Sequence, residues 1–156
     1  MSEDFVATTF WLWQFLGRLH PLIVHFPISL LVVALILEIF SWNKRDQGFR
    51  SGQQIILFIG AISAVVASVF GLLLKDQDEY SGNALTIHQW SGIATAVLAA
   101  TTFYFFRVSG KSNNSQLLNV YRSLLIFSVI GVTSAGHYGA SLTHGTGYLT
   151  EVLPWS

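Results

Sequence analysis

Four long apolar stretches constrain the fold of this chain more than any other feature of its sequence. They lie at about residues 21–42, 54–74, 86–106 and 117–137. A helix rises 1.5 Å per residue, so each stretch is close to the roughly 30 Å that the hydrocarbon core of a bilayer requires. Only 10% of the 156 residues are charged and 52% are apolar. The sequence therefore predicts an integral membrane protein, with the lipid bilayer as its solvent.

The connections between these stretches are short, at residues 43–53, 75–85 and 107–116. Short connections make neighbouring helices antiparallel. Small residues recur at four-residue steps in the second, third and fourth spans, which indicates close helix packing. We therefore predict an all-α fold, an up-down-up-down four-helix bundle. It forms a single membrane domain over residues 1–156, with no second domain and no internal repeat.

Residues 1–17 precede the first span and are rich in aromatic side chains between positions 5 and 16. This segment is too short to cross a bilayer, and indole rings favour the membrane interface. We expect an interfacial helix on the outer leaflet, separated from the first span near Arg18 and Pro21. The alternative is a simple extension of that span. No basic region precedes the apolar residues, so we expect no cleaved signal peptide.

Basic residues divide unequally between the two faces of the predicted bundle. One face carries Lys44, Arg45, Arg50, Arg107, Lys111 and Arg122, and the other only Arg18 and Lys75. Basic residues beside a span are retained in the cytoplasm. We predict a multi-pass protein of the bacterial inner membrane with both termini outside the cytoplasm. Glu38, the only acid within a span, lies near the cytoplasmic end, where Lys44 or Arg45 could pair with it.

The chain contains no cysteine, and its one methionine is Met1. This composition excludes disulfides, iron–sulfur clusters and covalent haem attachment through a C-x-x-C-H motif. A haem or transition metal inside the fold would depend mainly on imidazole ligands. The formal net charge is zero, which gives no argument for a nucleic-acid partner.

All five histidines are predicted to lie at the outer end of the bundle. His20 and His25 begin the first span, His88 opens the third, and His137 and His144 close the fourth. An interfacial histidine can simply bond to a carbonyl, a headgroup or water. Ionisable groups in membrane segments more often face the bundle interior and serve a function.

Local sequence gives each candidate histidine an expected position. Pro27 interrupts helical hydrogen bonding and is expected to kink the first span, aiming His25 inward. Thr86 is a candidate N-cap that would place His88 in the first turn of its helix. The outer tail, residues 138–156, is expected to leave the helix from about position 141 and to fold back, carrying His144 over the mouth of the bundle.

Three separated motifs carry a resemblance to a known family. They are GRLHPLIVHFPI at residues 17–28, HQWSGIA at residues 88–94, and GHYG at residues 136–139 with LTHG and YL following. This pattern resembles a bacterial family of predicted four-helix membrane domains of unknown function, found alone or fused to c-type cytochrome domains. The resemblance covers nearly the whole chain from residue 17 onward. It implies an association with respiratory electron transfer at the outer side of the membrane.

These observations favour a membrane electron-transfer subunit that binds haem b near the periplasmic face. The candidate axial ligands are His25, His88 and His137, with His25 and His88 as the first pair to test. His20 and His144 are expected around the ligands or at the entrance. One alternative is a copper or zinc site built from three or more of these imidazoles.

A further alternative is a non-catalytic membrane anchor for a periplasmic c-type cytochrome or another redox complex. No catalytic residue is predicted, because the sequence contains no recognisable Ser-His-Asp or paired-carboxylate arrangement within the spans. Whether the chain forms part of an enzyme is left open by the sequence.

Overall fold

The computed structural model describes residues 3–42, 47–75, 81–112, 114–145, 147 and 151, and every regular element within them is helical. The helices are α1 (Glu3–Arg18), α2 (His20–Ile23), α3 (His25–Phe40), α4 (Gln47–Lys75), α5 (Asn83–Lys111) and α6 (Ser115–His144). Four helical stretches are long and apolar enough to cross a membrane: Trp11–Phe40, Gly48–Lys75, Asn83–Lys111 and Ser115–His144. The predicted all-α bundle of four spans is confirmed.

The first span is interrupted for single residues only, at Leu19 and Val24. Pro21 lies in the first turn of α2, and Pro27 is the third residue of α3. At these positions the missing N–H would have no partner inside the helix, so proline costs little there. Consequently α1 continues the first span and packs against α4. By length and composition, the residues from Trp11 onward belong to the candidate span Trp11–Phe40, which favours the extension of the first span. The position of α1 at the membrane interface stays a prediction.

Two other helix ends differ from the predictions because glycines determine them. Gly82 (φ 93°) precedes α5, so Thr86 lies within the first turns and donates to the Gly82 carbonyl instead of capping the helix. At the other end of the chain, α6 continues to His144 and stops at Gly145 (φ 91°). Residues 141–144 are therefore helical and do not fold back. Residues 146, 148–150 and 152–156 of the predicted tail lie outside the described residues.

The four spans form a ring in which each packs against two neighbours. Helix α3 contacts α4 and α6, and α5 contacts the same two helices. The first and third spans therefore lie across the bundle from each other. Small side chains fill much of the core, including Ala34, Ala61, Ala64, Ala96 and Ala99. Ala64 and Ala96 belong to the small-residue steps of the sequence and pack in the core, whereas Ala100 of the third-span step is exposed.

The expectation of no internal repeat is wrong, because the two helical hairpins α1–α4 and α5–α6 match each other. A shift of 68 residues carries buried positions of the first hairpin onto buried positions of the second. The buried pairs include Leu31 and Ala99, Ala34 and Thr102, Leu57 and Leu125, Ala64 and Val132, and Ala67 and Ala135. Both hairpins run in the same sense, so they are parallel repeats about an axis along the bundle.

The repeat predicts equal energetic roles for equivalent leucines. Leu57 and Leu125 are 1% and 0% exposed. Truncating either to alanine should lower the free energy of unfolding by about 2–5 kcal/mol, because each leaves a cavity in the core. Ile62→Ala and Ile130→Ala supply matched controls, since these residues are also equivalent but 50% and 58% exposed. Thermal unfolding in detergent should separate the two pairs; unequal losses for the two leucines would contradict the repeat.

A polar network joins the two repeats at the end of the bundle opposite His20 and His88, which we call the arginine end. Arg122 Nε donates to Glu38 Oε1 at 2.6 Å, and Tyr121 donates to Glu38 Oε2 at 2.9 Å. Gln53 Nε2 donates to Tyr121 Oη at 3.0 Å and to the Ala34 carbonyl at 2.7 Å. Arg122 is thus an ion-pair partner of Glu38, whereas the sequence had suggested Lys44 or Arg45. Those two residues lie outside the described part of the chain.

Candidate functional site: the His20–His88 pair

The other end of the bundle, the histidine end, brings two imidazoles together across the repeat axis. The ring centroids of His20 and His88 are 5.8 Å apart, and their planes make an angle of 79°. His20 belongs to the first span and His88 to the third, and both side chains are half-buried. The two residues are equivalent in the repeat, since 68 positions separate them. The pair therefore forms a nearly symmetric site.

Each ring is anchored by the same hydrogen bond to the following helix of its own repeat. His20 Nδ1 lies 2.9 Å from the Ala67 carbonyl oxygen, and His88 Nδ1 lies 2.8 Å from the Ala135 carbonyl oxygen. Both bonds join residues 47 positions apart. A carbonyl only accepts, so Nδ1 carries the proton and Nε2 presents its lone pair. Neither Nε2 has a hydrogen-bond partner among the described residues.

A glycine lies one helical turn beyond each anchoring alanine. A Cβ atom added at Gly71 would approach His20 Cε1 to 2.9 Å, and one added at Gly139 would approach His88 Cε1 to 3.0 Å. Both distances are at or below the shortest that a Cβ contact tolerates. The two rings thus lie directly on helix backbone, and only glycine leaves room for them.

The other three histidines do not join this pair. His25 is exposed, with Nδ1 3.4 Å from the Leu22 carbonyl oxygen, while the neighbouring Pro27 is buried. Residues two apart on a helix lie about 200° apart, so the buried Pro27 and the exposed His25 occupy opposite faces. His137 is exposed and contacts the ring of Tyr138, at a centroid distance of 5.3 Å. His144 is exposed in the last turn of α6.

The structure therefore pairs His88 with His20, whereas the sequence favoured His25 as its first partner. Within the described residues, no group of three or more histidine and acidic side chains is arranged to hold a metal ion. A copper or zinc site of three imidazoles finds no support there. One signal in the sequence pointed to the observed pair: histidine, alanine and glycine recur with identical spacing at His20, Ala67 and Gly71 and at His88, Ala135 and Gly139.

The spacing of the pair lies within the roughly 4.5–7 Å of an ordinary edge-to-face ring contact and is also compatible with two ligands on one metal atom. Two imidazoles bound through Nε2 on opposite sides of a metal have centroids about 6 Å apart, because each metal–nitrogen bond is about 2.0 Å long. The observed 5.8 Å is close to that value. Hydrogen bonding of the distal ring nitrogen to a carbonyl is the usual support of a ligating histidine, since it fixes the tautomer and the ring orientation.

Fold and site together define a four-span helical membrane protein, built from two parallel hairpins, with a two-histidine site at one end. Residues 18–151 match the family model described as "Predicted membrane protein (DUF2231)". The match covers α2 to α6 and all five histidines, and the chain belongs to this family. No curated protein and no solved structure matches the chain.

Proposed function

We propose that this protein is a membrane electron-transfer subunit that holds one haem b between His20 and His88. The observation that supports the proposal is the spacing of two anchored imidazoles, 5.8 Å apart, with both Nδ1 atoms bonded to carbonyls. Bound between them, haem would supply one-electron transfer. The chain itself would supply axial ligands, their orientation and a partly buried setting, which are the features that tune a haem potential.

The donor set fits an iron porphyrin better than other redox centres. The chain has no cysteine and no methionine beyond Met1, so imidazole is the available strong ligand within the spans. The angle of 79° between the rings is compatible with ligation, because axial imidazoles can bind one metal with their planes either parallel or crossed. In this proposal His20 replaces His25 as the partner of His88. His25, His137 and His144 remain candidates for the entrance or for contact with a partner.

The proposed location follows from the basic residues. Arg50, Arg107, Lys111 and Arg122 lie toward the arginine end, which on this proposal faces the cytoplasm. The histidine end and both termini would then lie outside the cytoplasm of a bacterial inner membrane. There a periplasmic c-type cytochrome or another redox subunit could exchange electrons with the site. A reporter that is active only outside the cytoplasm, fused to either terminus, should be active; an inactive fusion at both ends would reverse the orientation.

Absorption spectroscopy tests the haem proposal directly. The protein, purified after expression with haem supply, should show a Soret band that shifts on dithionite reduction, with one haem per chain by pyridine haemochrome assay. A folded preparation without a Soret band would overturn the proposal. Metal analysis of the same sample would then show whether the pair holds another metal.

One observation favours a second candidate, a non-catalytic anchor for a redox partner. The two histidine–carbonyl bonds each join neighbouring helices, as polar bonds that stabilise membrane bundles do. On that function, His20→Gln and His88→Gln, which keep a donor, would leave assembly and electron flow unchanged. On the haem function the same variants would lose the cofactor, because glutamine is not a haem ligand of comparable strength.

A further inference from the structure

We propose that Gly71 and Gly139 are positioning residues that hold the two imidazole planes near-perpendicular on a shared haem iron. This inference rests on the proposed function and adds the electronic class of the site. Each glycine lies against one ring only, Gly71 against His20 and Gly139 against His88. The rings they support are 79° apart in plane. The pair of glycines therefore constrains one property, the angle between the ligand planes.

Two contacts fix each ring. The carbonyl of Ala67 or Ala135 holds Nδ1, and the glycine four residues later lies beneath Cε1. Because the hydrogen bond alone permits rotation about the N–H···O direction, the second contact is what selects the ring plane. A Cβ at either glycine would come within about 3 Å of Cε1. The ring is the end of a flexible side chain, so it, rather than the helix backbone, would move.

The angle between axial imidazoles has a direct spectroscopic signature. Axial ligand orientation sets the splitting of the iron d orbitals, so it is one of the levers by which the protein tunes a haem. In the electron paramagnetic resonance spectrum of low-spin ferric haem, near-perpendicular ligand planes give one resolved feature at a high g value, called a large-gmax signal. Near-parallel planes give a rhombic signal with three resolved g values. The structure assigns this site to the large-gmax class.

Electron paramagnetic resonance of the oxidised protein tests the proposal, beginning with the unmodified chain. It should give the large-gmax signal. Gly71→Ala and Gly139→Ala should each keep the helical circular dichroism, since alanine favours a helix more than glycine does. They should weaken the Soret band or convert the large-gmax signal to a rhombic one. Gly92→Ala is the matched control, because a Cβ there meets no atom within 4 Å.

Two results would overturn the assignment. One is a rhombic signal from the unmodified protein, and the other is an unchanged large-gmax signal in both Gly71→Ala and Gly139→Ala. Neither result would contradict the haem proposal, because a large-gmax or rhombic signal of this kind can be observed only when haem is bound. Absence of any Soret band from the unmodified protein would instead refute the proposed function itself.

Discussion

Replacing either His20 or His88 by alanine is expected to abolish the Soret band of the purified protein. Each imidazole would supply one of the two axial bonds to iron, and the residue left by truncation cannot ligate. His20 and His88 are equivalent in the repeat, so the two losses should be similar in size. Spectra recorded at equal protein concentration, with circular dichroism to confirm folding, provide the measurement.

Two exposed histidines at the same end of the bundle serve as controls. His25→Ala and His137→Ala remove imidazoles that do not contact the central pair. Both variants should retain a full Soret band, with at most a small change in potential. If His25→Ala lost the band while His20→Ala kept it, the ligand pair favoured by the sequence would be right and the pair proposed from the structure would fail.

The sequence predicted the fold well because the bilayer imposes a simple rule on it. Backbone polar groups must be satisfied within each segment, so apolar length alone indicates a spanning helix. Helix boundaries were less predictable. Residues such as Thr86 and His144 fall inside longer helices because the positive φ of Gly82 and Gly145 sets the actual ends. Polar residues near the two ends of a span suggested shorter helices, but the terminal turns of α5 and α6 contain such residues.

Which of the five histidines form the site was harder to predict, because this depends on how each helix is rotated about its own axis. The sequence placed five histidines at one end, and the structure describes His20 and His88 together at that end. On an ideal helix residues two apart lie about 200° apart, so a buried Pro27 leaves His25 on the outward face. His20, seven residues before Pro27, lies on nearly the same face as the proline. The sequence prediction instead relied on a kink at Pro27 to aim His25 inward.

The repeat was not recognised from the sequence because selection for burial retains character rather than identity. Glycine, alanine and leucine replace one another at buried positions, as at Leu31 and Ala99. The histidine and the glycine beneath it keep their identity, and few of the buried core positions do so, Leu57 and Leu125 being one such pair. The spacing of His20 and Gly71, compared with that of His88 and Gly139, carries the repeat most clearly.

Removal of Arg122 is expected to cause the largest loss of stability at the arginine end. The Arg122–Glu38 pair is largely buried, with side chains 13% and 9% exposed. Arg122→Leu would leave the Glu38 carboxylate without its cation, at a cost of about 3–5 kcal/mol. It would also remove the bond from Arg122 Nη2 to the Trp42 carbonyl and the contact of its guanidinium with the Trp42 ring.

Arg50 offers a matched control for this loss, because it occupies a similar place between the two repeats. Its guanidinium donates to the Phe106 carbonyl at 2.8 Å and lies 4.5 Å from the Phe106 ring centroid. In the part of the chain that the structure describes, it forms no ion pair. Arg50→Leu should therefore cost about 2–4 kcal/mol, from its hydrogen bonds to the Phe106 carbonyl and the Ser109 hydroxyl and from one ring contact. This loss is smaller than that of Arg122→Leu, which removes similar contacts and an ion pair as well.

A double variant separates the buried charge from the packing around it. Glu38→Leu combined with Arg122→Leu removes both charges, and replacement of a buried ion pair by apolar side chains is often nearly neutral. The double variant should unfold at a higher temperature in detergent than Arg122→Leu alone, although it carries one more substitution. If Glu38→Leu raises the unfolding temperature of the Arg122→Leu variant, the two substitutions are coupled, and the uncompensated Glu38 carboxylate is the cause of the loss. Equal unfolding temperatures for Arg122→Leu and Arg50→Leu would show that the ion pair contributes nothing beyond the helix-end contacts that both arginines make.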